Sequence, residues 1–99
     1  MSKKQTNDFD VSGKILEIGG VERISDKFSK RTLVMEVFNG KYANEVPFEF
    51  GNESMDQVKN VQVGNWVTIN FMLKSRRHDK EGQPTRRFVT LDGVSCYIE

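Results

Sequence analysis

Hydrophobic and polar residues alternate through most of this chain. Val11–Ile18 is rich in β-branched and aliphatic residues, and Gly13 is expected to mark a bulge or bend in it. Gly19-Gly20 reads as a turn or a second kink, with Val21–Ile24 continuing the same strand and Ser25–Lys30 as a polar turn. In Thr32–Phe38, Leu33, Met35 and Val37 share one face, while Val34, Glu36 and Phe38 share the other. Asn39-Gly40 predicts a hairpin turn into Glu45–Phe50, where Val46, Phe48 and Phe50 alternate with Glu45, Pro47 and Glu49. Pro47 donates no ladder hydrogen bond, which places it on an edge or irregular strand. Met55, Val58 and Val61 recur at spacing three, so Ser54–Val61 predicts a short helix, with Ser54 and Gln57 placed as a capping box. Val67, Ile69, Phe71 and Leu73 then face one way along a long strand that Trp66 opens at the barrel rim. Ser75–Thr85 reads as a polar connection. Phe88–Ile98 resumes strand character, with a bulge expected at Gly93.

Three strands, a short helix and two strands predict an all-β chain closed into a five-stranded OB-fold barrel, with the helix between strands three and four. Closure removes the exposed edges that an open five-stranded sheet would carry. An SH3-like barrel competes but lacks a helix at that place. Residues 1–10 are polar and are expected to form a flexible tail, leaving residues 11–99 as the domain.

Composition sets several function classes aside. The chain has 99 residues, one domain's worth, with 36% hydrophobic and 29% charged residues, a globular balance. No stretch approaches the roughly 18 apolar residues of a membrane span, so no membrane association is expected. One cysteine, Cys96, permits no intrachain disulfide and suggests a reducing, cytoplasmic setting; it reads as a small buried apolar residue. With one histidine, His78, and no nucleophile–base pair in view, neither an enzyme nor a metal or other cofactor is expected.

The net charge of +1 hides a segregation. Residues 23–31 hold four basic residues against one acidic residue, a net +3, and residues 74–87 hold six against two, a net +4. Residues 41–61 hold two against four, a net −2. Both positive segments fall in connections that flank one face of an OB barrel, the face that takes oligonucleotides. Aromatic residues lie among the charges: Phe28 beside Lys27, Lys30 and Arg31, and Phe88 after Arg86 and Arg87. A single strand needs cations along its phosphates and flat side chains under its bases. The candidate contacts are therefore Lys27, Phe28, Lys30, Arg31, Phe38, Arg76, Arg77, His78, Lys80, Arg86, Arg87 and Phe88. Phe38 serves either as a stacking platform or as a cover for its hairpin. Phe88 reads equally as core, and a loop lysine or arginine taken singly reads first as solvation.

The run Ile24-Ser25-Asp26-Lys27-Phe28-Ser29-Lys30-Arg31, followed by Val34 and Glu36, resembles a family of short OB-fold single-stranded DNA-binding proteins of Bacteroidetes-type bacteria and their phages. Gly13-Lys14-Ile15, Phe48-Glu49, Val63-Gly64, Phe88 and Leu91 extend the resemblance over Val11–Ile98. It implies single-stranded DNA as partner and a role as a replication, recombination or repair accessory. Lys27, Phe28, Lys30 and Arg31 would inherit that role, and Arg76 matches a recurrent basic position. His78 and Val94 stand where the family commonly has Trp, and Arg87 where it has an aromatic residue, which trades stacking for charge. Tyr97-Ile98-Glu99 does not match the acidic tail of bacterial single-stranded DNA-binding proteins, so recruitment of replication or recombination proteins is expected at another surface. A homodimer is expected, since a single small barrel offers a short groove. The rival readings are a protein-interaction module using Glu45, Glu49, Glu53 and Asp56, and an RNA-binding barrel.

Overall fold

The alternating runs become strands because each can turn one side to a common interior. Ile15, Leu33, Met35, Phe48, Phe50, Val67 and Ile69 are almost fully withdrawn from solvent, and Val58, Val61 and Cys96 complete the core. Each such aliphatic or aromatic side chain contributes about 1.5–3 kcal/mol of burial. The structure, a computed structural model, describes residues 6–99. It contains β1 (Phe9–Ile18), β2 (Glu22–Ser25), β3 (Phe28–Asn39), β4 (Tyr42–Gly51), a 3-10 helix (Asn52–Val58), β5 (Trp66–His78) and β6 (Arg86–Ile98). Residues 1–5 of the expected tail lie outside the described residues, while Phe9 and Asp10, also assigned to that tail, pair with Phe71 and Asn70 inside β1.

The sheet runs β1-β5-β6-β4-β3-β2, and β1 also pairs with β3, which closes an all-β OB-fold barrel of five long strands. The closure depends on how β1 bends. Its first half pairs with β5, and from Lys14 onward it pairs with β3. The bend falls at a bulge between Ile15 and Glu17 rather than at Gly13. Gly13 keeps regular pairing and serves another need: a Cβ there would run into the Glu36 carbonyl oxygen and the Met35 side chain. On the other side the barrel closes through one parallel pairing, Glu49 with Asp92. Pro47 precedes that seam, where β4 has a neighbour only on its β3 side, so its missing N–H leaves no gap in the ladder.

Three expectations change. Val21–Ile24 does not continue β1. Residues 22–25 turn back as the short β2 and pair with the start of β3, so Phe28 to Lys30 are strand rather than turn. The helix is a 3-10 helix beginning at Asn52, with no side-chain cap; Ser54 Oγ instead donates to the Gly51 carbonyl at 2.9 Å. Its apolar spacing holds, with Val58 buried and Met55 against the core. Finally, β5 and β6 stay paired as far as His78 and Arg86, so much of the expected 75–85 connection is a two-stranded arm. The bulge at Gly93 is present: pairing steps from Asn70–Ser95 to Phe71–Gly93 and leaves Val94 extra. Asn39-Gly40 does form the β3–β4 turn, with Gly40 at φ +62°.

Candidate nucleic-acid interface

Strand alternation decides which basic and aromatic residues can act together. On the β5–β6 arm, Arg76 lies directly opposite Phe88, and His78 opposite Arg86. These four share the face that also carries Lys74 and its partner Thr90. The Arg86 guanidinium sits over the Phe88 ring, 5.4 Å from its centroid. Arg77 and Arg87 also oppose one another, but on the reverse face, and Arg77 is held by Asp79 at 3.0 Å. Phe88 is 44% exposed, so its core reading is set aside.

The β2–β3 hairpin supplies the second wall. Phe28 opens β3, and its ring rests on Gly51, where an added Cβ would lie 2.7 Å from the ring. Asn52, the next residue, has φ +46°, a left-handed conformation that asparagine tolerates better than most residues. Its Oδ1 accepts from the Ser29 amide at 2.9 Å, and its Nδ2 donates to the Lys27 carbonyl at 3.1 Å. One side chain thus brackets Phe28 on both sides. Lys27 lies exposed in the turn just before it.

Between the two walls lies a groove of about 400 Å³, lined by Phe28, Lys30, Glu49, Lys74, Ser75, Arg76, Phe88, Thr90 and Asp92. Four of the candidate residues therefore meet: Phe28, Lys30, Arg76 and Phe88. Arg86 covers one of the two rings, and His78 lies one pair farther along the arm on the same face. Lys30 is not a free cation, since its Nζ pairs with Glu49 at 3.1 Å.

Other candidates are not brought there. Arg31 follows Lys30 in a strand and so faces the other way, into a depression lined by Val21, Asn52, Glu53, Met55, Asp56 and Lys59. Its Nε is buried without a partner among the described residues. That depression is larger, about 670 Å³, but it balances Arg31 and Lys59 with two carboxylates and presents no aromatic ring, so the smaller groove suits nucleic acid better. Phe38 shares Phe28's face but lies ten residues on, about 33 Å along the strand. It is 54% exposed at the far end of the β3–β4 ribbon. Lys80 is exposed in the arm's turn, with Arg87 on the reverse face of the arm.

The acidic residues considered as one patch are also dispersed. Glu49 lies in the groove, Glu53 and Asp56 line the depression around Arg31, and Glu45 opposes Glu36. Sequence reasoning missed Asn52, and it missed Glu49 and Asp92 as groove residues. No local signal marks these carboxylates, because only barrel closure joins them.

Residues 10–95 match the family described as a domain of unknown function, DUF3127. No curated protein matches the chain. Solved structures with the same fold include the following two. One is a mitochondrial single-stranded DNA binding protein of S. cerevisiae, Rim1, with a TM-score of 0.70 at 11% identity, covering 96% of each chain. The other is the N-terminal domain of PriB from Thermoanaerobacter tencongensis, described as dimeric. Its TM-score is 0.67 at 16% identity, covering 94% of this chain and 96% of that one.

Proposed function

We propose that this chain, which belongs to the DUF3127 family, binds single-stranded DNA without catalysing a reaction on it. The observation that carries the proposal is the groove itself. Two half-exposed rings, Phe28 and Phe88, line it from separate hairpins, with Arg76 and Arg86 beside them. Bases stack on such rings for about 1–3 kcal/mol each, and guanidinium groups at the margin hold phosphates. Stacking recognises any base, so binding is largely independent of sequence.

The likeness to Rim1, named as a single-stranded DNA binding protein, supports the same partner here. The likeness to a dimeric PriB domain supports a homodimer whose two grooves together hold a longer strand. The role that fits is an accessory of bacterial or phage DNA replication, recombination or repair in a reducing cytoplasm, a setting with which the unpaired Cys96 agrees.

The test is titration of labelled oligo-dT by fluorescence anisotropy at several salt concentrations. Contacts with three or four phosphates give a log–log slope of about −2 to −3 for a single strand. A flat salt response, or duplex bound as tightly as single strand, would overturn the proposal. Size-exclusion chromatography with light scattering tests the dimer.

A further inference from the structure

Four charged residues form a row across the groove floor, each from a different strand. Lys30 on β3 pairs with Glu49 on β4 at 3.1 Å, and Lys74 on β5 pairs with Asp92 on β6 at 3.2 Å. Glu49 and Asp92 are themselves Cα partners at the parallel seam that closes the barrel. The order across the floor is cation, two carboxylates, cation. Adjacent carboxylates disfavour one another, and the outer lysines offset that.

This floor is unsuited to phosphate, because the carboxylates at its centre repel it. Each carboxylate commits one oxygen, Glu49 Oε1 or Asp92 Oδ2, to its lysine. The other oxygen takes no protein donor among the described residues, and the two side chains are 32% and 24% exposed, open to the groove yet sheltered. Hydrogen bonds made there are screened less than at an open surface. A strand lying in the groove would keep its phosphates at the rim near Arg76 and turn a base inward between Phe28 and Phe88.

We propose that this floor prefers guanine, an inference that rests on the single-stranded DNA reading above. Guanine's Watson–Crick edge presents a carbonyl acceptor followed by two adjacent N–H donors. A lysine–carboxylate pair offers the complement, an ammonium donor beside a carboxylate. Cytosine and adenine bring one amino group each. Thymine brings one N–H flanked by two carbonyl oxygens, which the carboxylates repel. Stacking and phosphate contacts remain common to all bases, so the preference is superimposed on general binding.

The experiment uses the full chain and labelled oligo-dT carrying one central dG, dI or dT. Inosine differs from guanosine only by loss of the 2-amino group. The dG oligomer should bind about fivefold more tightly than the dI oligomer, the size expected of one added hydrogen bond to a partly exposed carboxylate. Glu49→Leu combined with Asp92→Ala should bring that ratio close to one, and the wild-type ratio stands as a test whether or not this variant folds. Equal affinity for dG and dI, with oligo-dT still bound, would overturn the guanine preference alone. No binding to any of the three oligomers would overturn the DNA-binding reading and the preference with it.

Discussion

Asn52→Ala should weaken DNA binding without touching DNA. The substitution removes two hydrogen bonds, from the Ser29 amide and to the Lys27 carbonyl. Each is worth about 1 kcal/mol net. It also places alanine at φ +46°, where a residue other than glycine or asparagine loses about 1–2 kcal/mol more. The local loss is therefore about 3–4 kcal/mol. All four residues of β2 are exposed, so this loss should appear as fraying of the β2–β3 hairpin more than as global unfolding. Once the hairpin frays, Phe28 leaves its seat on Gly51 and its stacking, about 1–3 kcal/mol, is lost. Affinity should fall about five- to a hundred-and-fiftyfold. The assay is a double-mutant cycle with Phe28→Ala, read by anisotropy, together with hydrogen exchange at the Ser29 amide. Asn52→Ala should weaken wild-type binding and add little once Phe28 is gone, with faster Ser29 exchange in both backgrounds. Full additivity, or an unchanged affinity with a freely exchanging Ser29, would refute the positioning role. A negligible effect of Phe28→Ala would instead refute stacking at that ring.

Arg76→Ala should lower oligo-dT affinity and make the salt slope shallower by about 0.7, the value of one phosphate contact. Arg31→Ala, whose side chain points into the opposite depression, should leave both nearly unchanged, and equal effects of the two would contradict the strand alternation described above. Gly93→Ala drives a Cβ into the Phe50 ring and should destabilise by about 1–3 kcal/mol in urea unfolding; an unmoved midpoint would mean the core yields there. Burial raises the Cys96 thiol above its ordinary value of 9.0, so the neutral thiol is the form the fold favours. Its contribution is complete below that value and is lost as pH climbs toward the raised one, because the unfolded chain ionises first. Native protein should resist alkylation, and Cys96→Ala should flatten the alkaline fall in stability; rapid alkylation at pH 8 would contradict the burial.

The strands were legible in the sequence wherever one face is buried. Phe48 and Phe50 flank Glu49, Val67 and Ile69 flank Thr68, and Leu33 and Met35 lie between Thr32 and Glu36, and all six are core. Where both faces of a ribbon meet water, that signal vanishes. Residues 75–78 and 86–87 read as loop because nothing along them needs burying, yet cross-strand hydrogen bonds continue the ladder beyond the barrel. The same holds for Ser25–Lys30, which reads as a polar turn although Phe28–Lys30 open β3 and pair with β2.

The charge segregation also belonged to the sequence, as two basic segments that each contain a phenylalanine. A linear count could not divide Lys30 from Arg31, or Arg76 from Arg77, because a one-residue step in a strand reverses the direction of a side chain. Nor could it bring Glu49 to Asp92, 43 positions apart in the chain, since their contact exists only where the barrel closes. Strand type and burial follow from local periodicity. Which charges meet follows from how the strands pair, and the chain settles that pairing globally, by the single closure that buries the core side chains of all five long strands at once.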